Sequence, residues 1–421
     1  MRISTSTAYE LGVATMQQQT ARLLQTQQQI SSGRRIQSPA DDPVGAAQTL
    51  DITQSQAVNQ QYVANSAAAG DSLTLEESTL GNILQLLQNV RDVTVNAGDP
   101  TLNNSDRSIL ANQLRSDYQQ LLGLANSTDG NGQYLFSGYQ GGTRPFSESA
   151  PGTVVYSGDQ GQRLVQVGPA RQIAVSDAGA DVFQRIRTGN GTFATQAAAA
   201  NAGSALIDNG TAVDPAKWND PANSKDYTIR FSVSGGVTSY DIVDNQSGNS
   251  LLTGAAPGAA PYPRAYAGGG KIDFSQAGPP AFDFGAQVSI AGTPGDGDSF
   301  SVKASTCQDV FKTIADLANL LQNSPSGAAL TNGLGAGQLN LDNAMNNILT
   351  VRSSAGARLK ELDSVNNVGA DRELQYSEML SRLQDVDYAK AASDLTQQQL
   401  NLEAAQKSFA KVAGLSLFSY L

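Results

Sequence analysis

Near the N-terminal end, Tyr9, Val13, Met16, Thr20, Leu23, Gln27 and Ile30 recur at spacings of 4-3-4-3-4-3. That is the a/d seam of a heptad helix. It predicts a first helix over residues 4–31, about 28 residues and roughly 40 Å long at the α-helical rise. Tyr388, Ala391, Leu395, Gln398, Leu402, Ala405, Phe409 and Val412 repeat the pattern at 3-4-3-4-3-4-3. Two such seams at opposite ends of the chain predict two helices that face each other. Both seams are weak, because Thr20, Gln27 and Gln398 take core positions and several others are Ala. A polar residue in a seam sets register at a cost in stability. Two readings stay open: a self-contained coil, or ends that order only against other copies.

Between the ends the helical period continues. Leu80, Ile83, Leu84, Leu87 and Val90 put an apolar stripe on a helix from Ala46 to Ala97, which Gly98-Asp99-Pro100 breaks. Ser105 is an N-cap for a helix running to about Ser127. Residues 308–322 predict a short helix through Val310, Phe311, Ile314, Leu317 and Leu321. A very long one begins near Gln338 and reaches Leu383.

The period changes from about residue 147 to 302, which hold most of the Gly and Pro and the only tryptophan, Trp218. Tyr227–Val233 and Thr238–Val243 flank Gly235-Gly236 as a hairpin, and Val154–Tyr156 is expected to pair with Leu164–Val167. Residues 255–270 are Pro-, Gly- and Ala-rich and predict an exposed loop.

The expected fold class is multidomain α+β, a rod-like helical coiled-coil bundle formed by both termini with an inserted β-rich outer domain. The expected division is an inner helical part of residues 1–45 and 385–421, a helical rod of 46–146 and 303–384, and an outer domain of 147–302. The link after the first helix carries four charges, Arg34, Arg35, Asp41 and Asp42, between breakers Pro39 and Pro43. They are candidates to fix the angle between layers. The apolar tail of Leu415, Leu417, Phe418 and Leu421 is a candidate contact with a neighbouring chain.

Charge narrows the partners. The 421 residues carry 27 basic and 38 acidic side chains, net −11, with no lysine before Lys217. No basic patch suited to phosphates is visible, so no nucleic-acid partner is expected. There is no histidine, which removes His-dependent triads, proton shuttles and metal sites. Cys307 is the single cysteine, so neither an internal disulfide nor a Cys-based zinc site can form. The N-terminal sequence lacks the pattern of a cleavable signal peptide, and no run of about 18 apolar residues exists to span a bilayer.

Remaining candidates for chemistry are weak. Asp296 and Asp298 flank Gly297, but counting Asp296 as the first residue of a calcium loop puts Cys307 where a glutamate is needed. Asp273 and Asp283 imitate a glycosidase pair without an evident aromatic cleft. Gly268-Gly-Gly-Lys271 lacks phosphate-loop spacing, and Ile272 follows the lysine. No enzyme, cofactor or metal is expected.

Ile30-Ser-Ser-Gly-Arg-Arg-Ile-Gln-Ser-Pro-Ala-Asp-Asp-Pro-Val-Gly45 resembles the flagellin-family signature, and Asp385-Val-Asp-Tyr-Ala-Lys-Ala-Ala392 with Leu415-Ser-Leu-Phe-Ser-Tyr-Leu421 resembles its C-terminal half. The two terminal regions that carry these motifs make up about half of the chain. The opening Met1-Arg-Ile-Ser-Thr, the stretch Gly130–Tyr139 with Thr143–Phe146, and Ile290–Val302 are similar to hook-associated members of that family. The resemblance implies an extracellular, non-catalytic flagellar adaptor that forms a ring of copies between hook-associated protein 1 and flagellin. It implies export by the flagellar type III route with a chaperone, and no membrane insertion. Tyr9, Val13, Met16, Leu23, Ile30, Tyr388, Leu395, Leu402, Phe409, Val412, Leu417 and Leu421 are then the expected subunit-interface residues. The rival readings are flagellin, the filament subunit itself, and a secreted carbohydrate-binding or hydrolytic protein acting through the insert.

Overall fold

The computed structural model describes residues 5–323 and 326–413. Three helices open the chain: α1 (Thr5–Ser32), α2 (Pro43–Ala97) and α3 (Asn104–Ala125). Short elements follow: β1 (Phe146–Ala150), β2 (Thr153–Tyr156), β3 (Leu164–Gly168), β4 (Arg171–Ala174), α4 (Gly179–Phe183) and β5 (Ile186–Arg187). Then come β6 (Phe193–Ala197), β7 (Leu206–Ile207), β8 (Thr211–Ala212), α5 (Pro215–Trp218), β9 (Asp226–Ser234), β10 (Val237–Asp244) and β11 (Arg264–Ala265). β12 (Lys271–Gln276), β13 (Phe282–Ala291), β14 (Ser299–Ala304) and β15 (Cys307–Gln308) complete the strands. The helices α6 (Val310–Asn323), α7 (Ala328–Gln384) and α8 (Tyr388–Ala413) close the chain. The architecture is multidomain α+β.

The chain divides into two compact units. One comprises Met1–Ala67, Gln166–Arg171 and Asp363–Leu421, and the other Ala68–Val165 and Gln172–Leu362.

The second unit holds two cores. The helical one gathers Leu80, Ile83, Leu87 and Val90 of α2, Leu114 and Leu121 of α3, Phe311, Ile314 and Leu317 of α6, and Leu341 and Ile348 of α7. Phe311 is its centre, with ring centroids of Tyr118, Phe146 and Phe183 at 6.2, 5.3 and 5.8 Å. Each such side chain contributes about 1.5–3 kcal/mol on burial. Phe146, Val154, Phe183 and Ile186 belong to this helical core, and the separate β core begins only at Phe193. Phe146, Val154, Phe183 and Ile186 therefore pack on helices and are not part of the β core.

In the β core, a five-stranded sheet of order β11-β10-β9-β14-β6 faces a sheet of order β12-β13-β7, with β8 also paired to β13. Phe231, Phe300 and Val302 from the first meet Phe274, Val288 and Ile290 from the second around Trp218. The β9–β10 hairpin pairs Val233 with Thr238 across Gly235-Gly236, both at positive φ, as the turn requires.

Several expectations are corrected. β2 pairs with β1, and β3 with β4, so Val154–Tyr156 and Leu164–Val167 are not partners. Each finds a closer neighbour in sequence, which costs less loop closure. Within 255–270, Arg264-Ala265 forms an edge strand on β10. The cap of α3 is Asn103, not Ser105: its side chain accepts from the Ser105 and Asp106 amides, and Asp106 returns a bond to the Asn103 amide. The long helix starts at Ala328, ten residues before Gln338. Gly333, Gly335 and Gly337 lie in the added turns, and a Cβ at Gly333 or Gly337 would sit 2.5 or 2.3 Å from side-chain atoms of Leu320 or Leu317. The glycines let α6 pack close, and that contact overrides helix propensity.

Candidate assembly interface

The first unit brings the two ends of the chain together. α1 and α8 run antiparallel: a Cβ at Gly12 would lie 2.7 Å from the Phe409 ring, and one at Gly33 would lie 3.1 Å from the Tyr388 hydroxyl. The Tyr9 and Phe409 rings meet at 4.9 Å. On α8, Ala391 is buried and Leu395, Gln398, Leu402, Ala405 and Phe409 are half-buried, while Tyr388 is exposed.

On α1 the seam is displaced by one position over part of its length. Val13, Met16, Leu23 and Ile30 are half-buried, but Thr20 and Gln27 are exposed, and Gln19 and Thr26 face inward in their place. Gly12, Met16, Gln19, Leu23, Thr26 and Ile30 form a second 4-3-4-3-4 series through the same apolar residues. The structure takes it because Phe409 needs the space that Gly12 leaves. The amide oxygens of Gln19 and Gln398 are buried without a hydrogen-bond partner among the described residues. Tyr9 is 55% exposed, and Leu11, Leu24 and Leu400 are also exposed on the same helix pair. The side chain of Val412, and Leu415, Leu417, Phe418 and Leu421, lie outside the described residues.

The link between α1 and α2 is built from helix caps. Gly33 follows the last residue of α1 at φ +72°, the left-handed conformation that ends helices. Arg34 and Asp385 then form a two-stranded bridge. The Arg35 amide donates to the Gln384 carbonyl at 2.6 Å, and the Val386 amide to the Gly33 carbonyl at 3.0 Å. The Arg35 guanidinium donates through Nη2 to the Leu383 carbonyl at 2.9 Å and pairs through Nη1 with Asp42 at 3.3 Å. One residue thus satisfies two of the carbonyls that the C-terminus of α7 leaves unpaired.

The two aspartates hold the other side. Asp42 caps α2: its Oδ1 accepts from the Gly45 amide at 2.9 Å, with Pro43 at the first helical position. The Gly45 amide, and then Arg35, keep the Asp42 carboxyl below the usual range. Asp41 accepts from the Ser38 amide at 2.9 Å, the Gln37 amide at 3.2 Å and Gln25 Nε2 at 2.9 Å. The Ser38 and then Gln37 amides likewise lower Asp41. At the opposite strand of the bridge, Asp387 caps α8 by accepting from the Lys390 amide at 3.1 Å. Arg35, Asp41 and Asp42 are therefore brought together. Arg34 is not: its guanidinium is exposed, without a partner among the described residues.

The other candidate carboxylates are structural. Asp298 accepts from the Ala202, Gly203 and Gly295 amides at 2.7, 3.1 and 2.7 Å, and Asp296 from the Val233 amide at 3.0 Å. Asp273 takes a bond from Gln287, and Asp283 pairs with Lys217. Cys307 is exposed.

One functional row was missed. On α7, Asn343 Nδ2 donates to the Arg187 and Gly189 carbonyls at 2.9 and 2.8 Å. Asn347 Nδ2 donates to the Asp181 and Val182 carbonyls at 2.8 and 2.9 Å, and Asn340 Oδ1 accepts the Gly189 amide at 3.2 Å. These asparagines fasten the start of the insert to the helix. Their signal in sequence is three Asn at i, i+3 and i+7 on one helix face.

The comparisons with known proteins agree with this arrangement of two ends around an insert. The family model described as the bacterial flagellin N-terminal helical region matches residues 3–141, and that of the C-terminal helical region matches 339–421. Flagellar hook-associated protein 3 of Salmonella typhimurium is 27% identical over 418 residues, 99% of either chain. The crystal structure of the flagellar junction protein from Legionella pneumophila is 30% identical, with a TM-score of 0.68, covering 80% of this chain and 100% of that one. Flagellin 1 of Proteus mirabilis is 31% identical over 114 residues, 26% of this chain and 30% of its own. The chain therefore belongs to the bacterial flagellin family, and its similarity to hook-associated protein 3, unlike that to flagellin, runs from end to end.

Proposed function

We propose that this protein is a non-catalytic adaptor of the bacterial flagellum that joins hook-associated protein 1 to the flagellin filament. The observation that carries this reading is the closed pairing of both chain ends, with α1 on α8 and the Arg35 bridge capping α7. In this reading residues 1–45 and 385–421 line an inner tube, 46–146 and 303–384 form the next layer, and 147–302 project outward. Tyr9, Val13, Met16, Leu23 and Ile30 with Tyr388, Leu395, Leu402, Phe409, Val412, Leu417 and Leu421 contact neighbouring copies in a ring. The exposed Tyr9, Leu11, Leu24 and Leu400 support this, since apolar side chains grouped on one helix pair favour a covered state. Arg35, Asp41 and Asp42 set the angle between layers, and Arg34 contributes only its backbone to the bridge. The protein acts outside the cell, after export with a chaperone on its C-terminal part.

The test is self-assembly of the purified full chain, alone and with hook-associated protein 1 or flagellin seeds, followed by electron microscopy. Binding to the ends of seeds without filament growth by the chain alone is the expected result. Long filaments from the chain alone would instead make it a filament subunit.

A further inference from the structure

In the second unit, a carboxyl group is enclosed beside another carboxylate. Glu76 on α2 is 1% exposed. Its Oε1 accepts the backbone N–H of Asp177 at 2.9 Å, and its Oε2 is buried with no hydrogen-bond partner among the described residues. The Asp177 side chain accepts from Arg358 Nη2 of α7 at 2.5 Å and from Gln162 Nε2 at 2.7 Å. Arg358 also donates to the Ala174 carbonyl at 3.1 Å. Two short stretches are paired here: the Val175 amide bonds the Arg163 carbonyl at 2.8 Å, and the Arg163 amide bonds Ser176 Oγ at 3.2 Å. Arg358 ties this pair to α7, and Glu76 ties it to α2.

The charged groups facing Glu76 are Asp177 and Arg163 from the paired stretches and Arg358 from α7. On its own helix, Glu77 is taken up by Arg352 at 2.6 Å. Arg358 is already committed to Asp177. Arg163 donates Nη1 to the neutral Gln133 Oε1 at 2.6 Å, and its Nε is buried without a hydrogen-bond partner among the described residues. A charge on Glu76 would thus be dry and next to a second negative charge, and the attraction of Arg358 and Arg163 is smaller than those two effects. Such a group is held neutral unless the surroundings open.

We propose that Glu76 is a proton-operated latch: while its carboxyl keeps its proton it holds the Asp177 backbone against α2, and loss of that proton to solvent releases residues 175–177 from α2. The exclusion of water, and after it the Asp177 charge, pushes the Glu76 carboxyl up to about 8. The sign follows. A raised acid favours the closed form at low pH, so the closed form loses ground as pH rises from the ordinary glutamate range and opens through about pH 8.

The test is amide hydrogen exchange of the full chain from pH 6 to 9.5, corrected for intrinsic exchange and read on peptides covering residues 172–178. Protection in the natural protein is expected to fall about tenfold per pH unit from pH 6 up to about pH 8 and to level off above it. Glu76→Gln, isosteric with the protonated acid, is expected to keep its protection within about twofold. Loss of protection to the same degree in both proteins, or a flat profile in the natural one, overturns the latch. A second readout needs no substitution: carboxyl ¹³C resonances of labelled glutamate in the natural protein. One glutamate titrating near pH 8 supports the proposal, and all of them titrating near the ordinary value of about 4.3 refute it.

Discussion

Arg34 and Arg35 are neighbours of identical chemistry, and the structure gives them opposite roles. Arg35 donates to the Leu383 carbonyl, one of the last unpaired carbonyls of α7, and bonds Gln384 through its own amide. Arg34 contributes backbone to the same bridge, with its guanidinium in solvent. Arg35→Ala leaves the backbone bonds possible and removes the guanidinium. A side-chain bond of this kind contributes about 1 kcal/mol net. The exposed pairing with Asp42 adds little to that. About 1 kcal/mol is roughly a fivefold change in an opening equilibrium. The reporter is the Val386 amide, which donates to the Gly33 carbonyl in the same bridge. Its native-state exchange at fixed pH measures local opening without unfolding the chain. Arg35→Ala is expected to speed that exchange about fivefold, and Arg34→Ala less than twofold. Arg35→Lys should fall between them, since a single ammonium cannot reach both Leu383 and Asp42 with the same geometry. Equal effects of the two alanines, or no effect of Arg35→Ala, would refute the claim that the guanidinium caps α7.

Phe311→Ala empties the centre of the aromatic cluster formed with Tyr118, Phe146 and Phe183, and is expected to cost about 3–5 kcal/mol. Urea unfolding should show it as a lower midpoint at unchanged slope. Asp298→Ala takes the acceptor from three backbone amides at a residue 2% exposed, for an expected loss of roughly 2–4 kcal/mol in the β core. Asp298→Asn, which keeps one acceptor oxygen, should recover part of that loss on thermal unfolding.

Periodicity carried much of the fold. The heptads of α1 and α8, the stripe on α2 and the apolar face of α6 placed four helices to within a few residues, because these signals depend on local spacing alone. The β9–β10 hairpin was equally legible, since two glycines between alternating runs leave little choice of turn. In the link, the sequence predicts Pro43 as a breaker before a helix from Ala46, whereas Asp42 caps α2 with Pro43 as its first residue.

What the sequence left open depends on neighbours far along the chain. Two seams share Met16, Leu23 and Ile30, and only the Phe409 ring against Gly12 decides between them. The start of α7, ten residues before the expected Gln338, depends on Leu317 and Leu320 of α6 filling the space beside Gly337 and Gly333. Which of two adjacent arginines caps α7 depends on where Leu383 and Gln384 arrive. The state of Glu76 depends on Asp177, 101 residues away. Local patterns fix which segments become helix or strand, because backbone geometry repeats over a few residues. Contacts between distant segments fix which side chains are enclosed, paired or left bare, and those relations exist only once the chain has closed on itself.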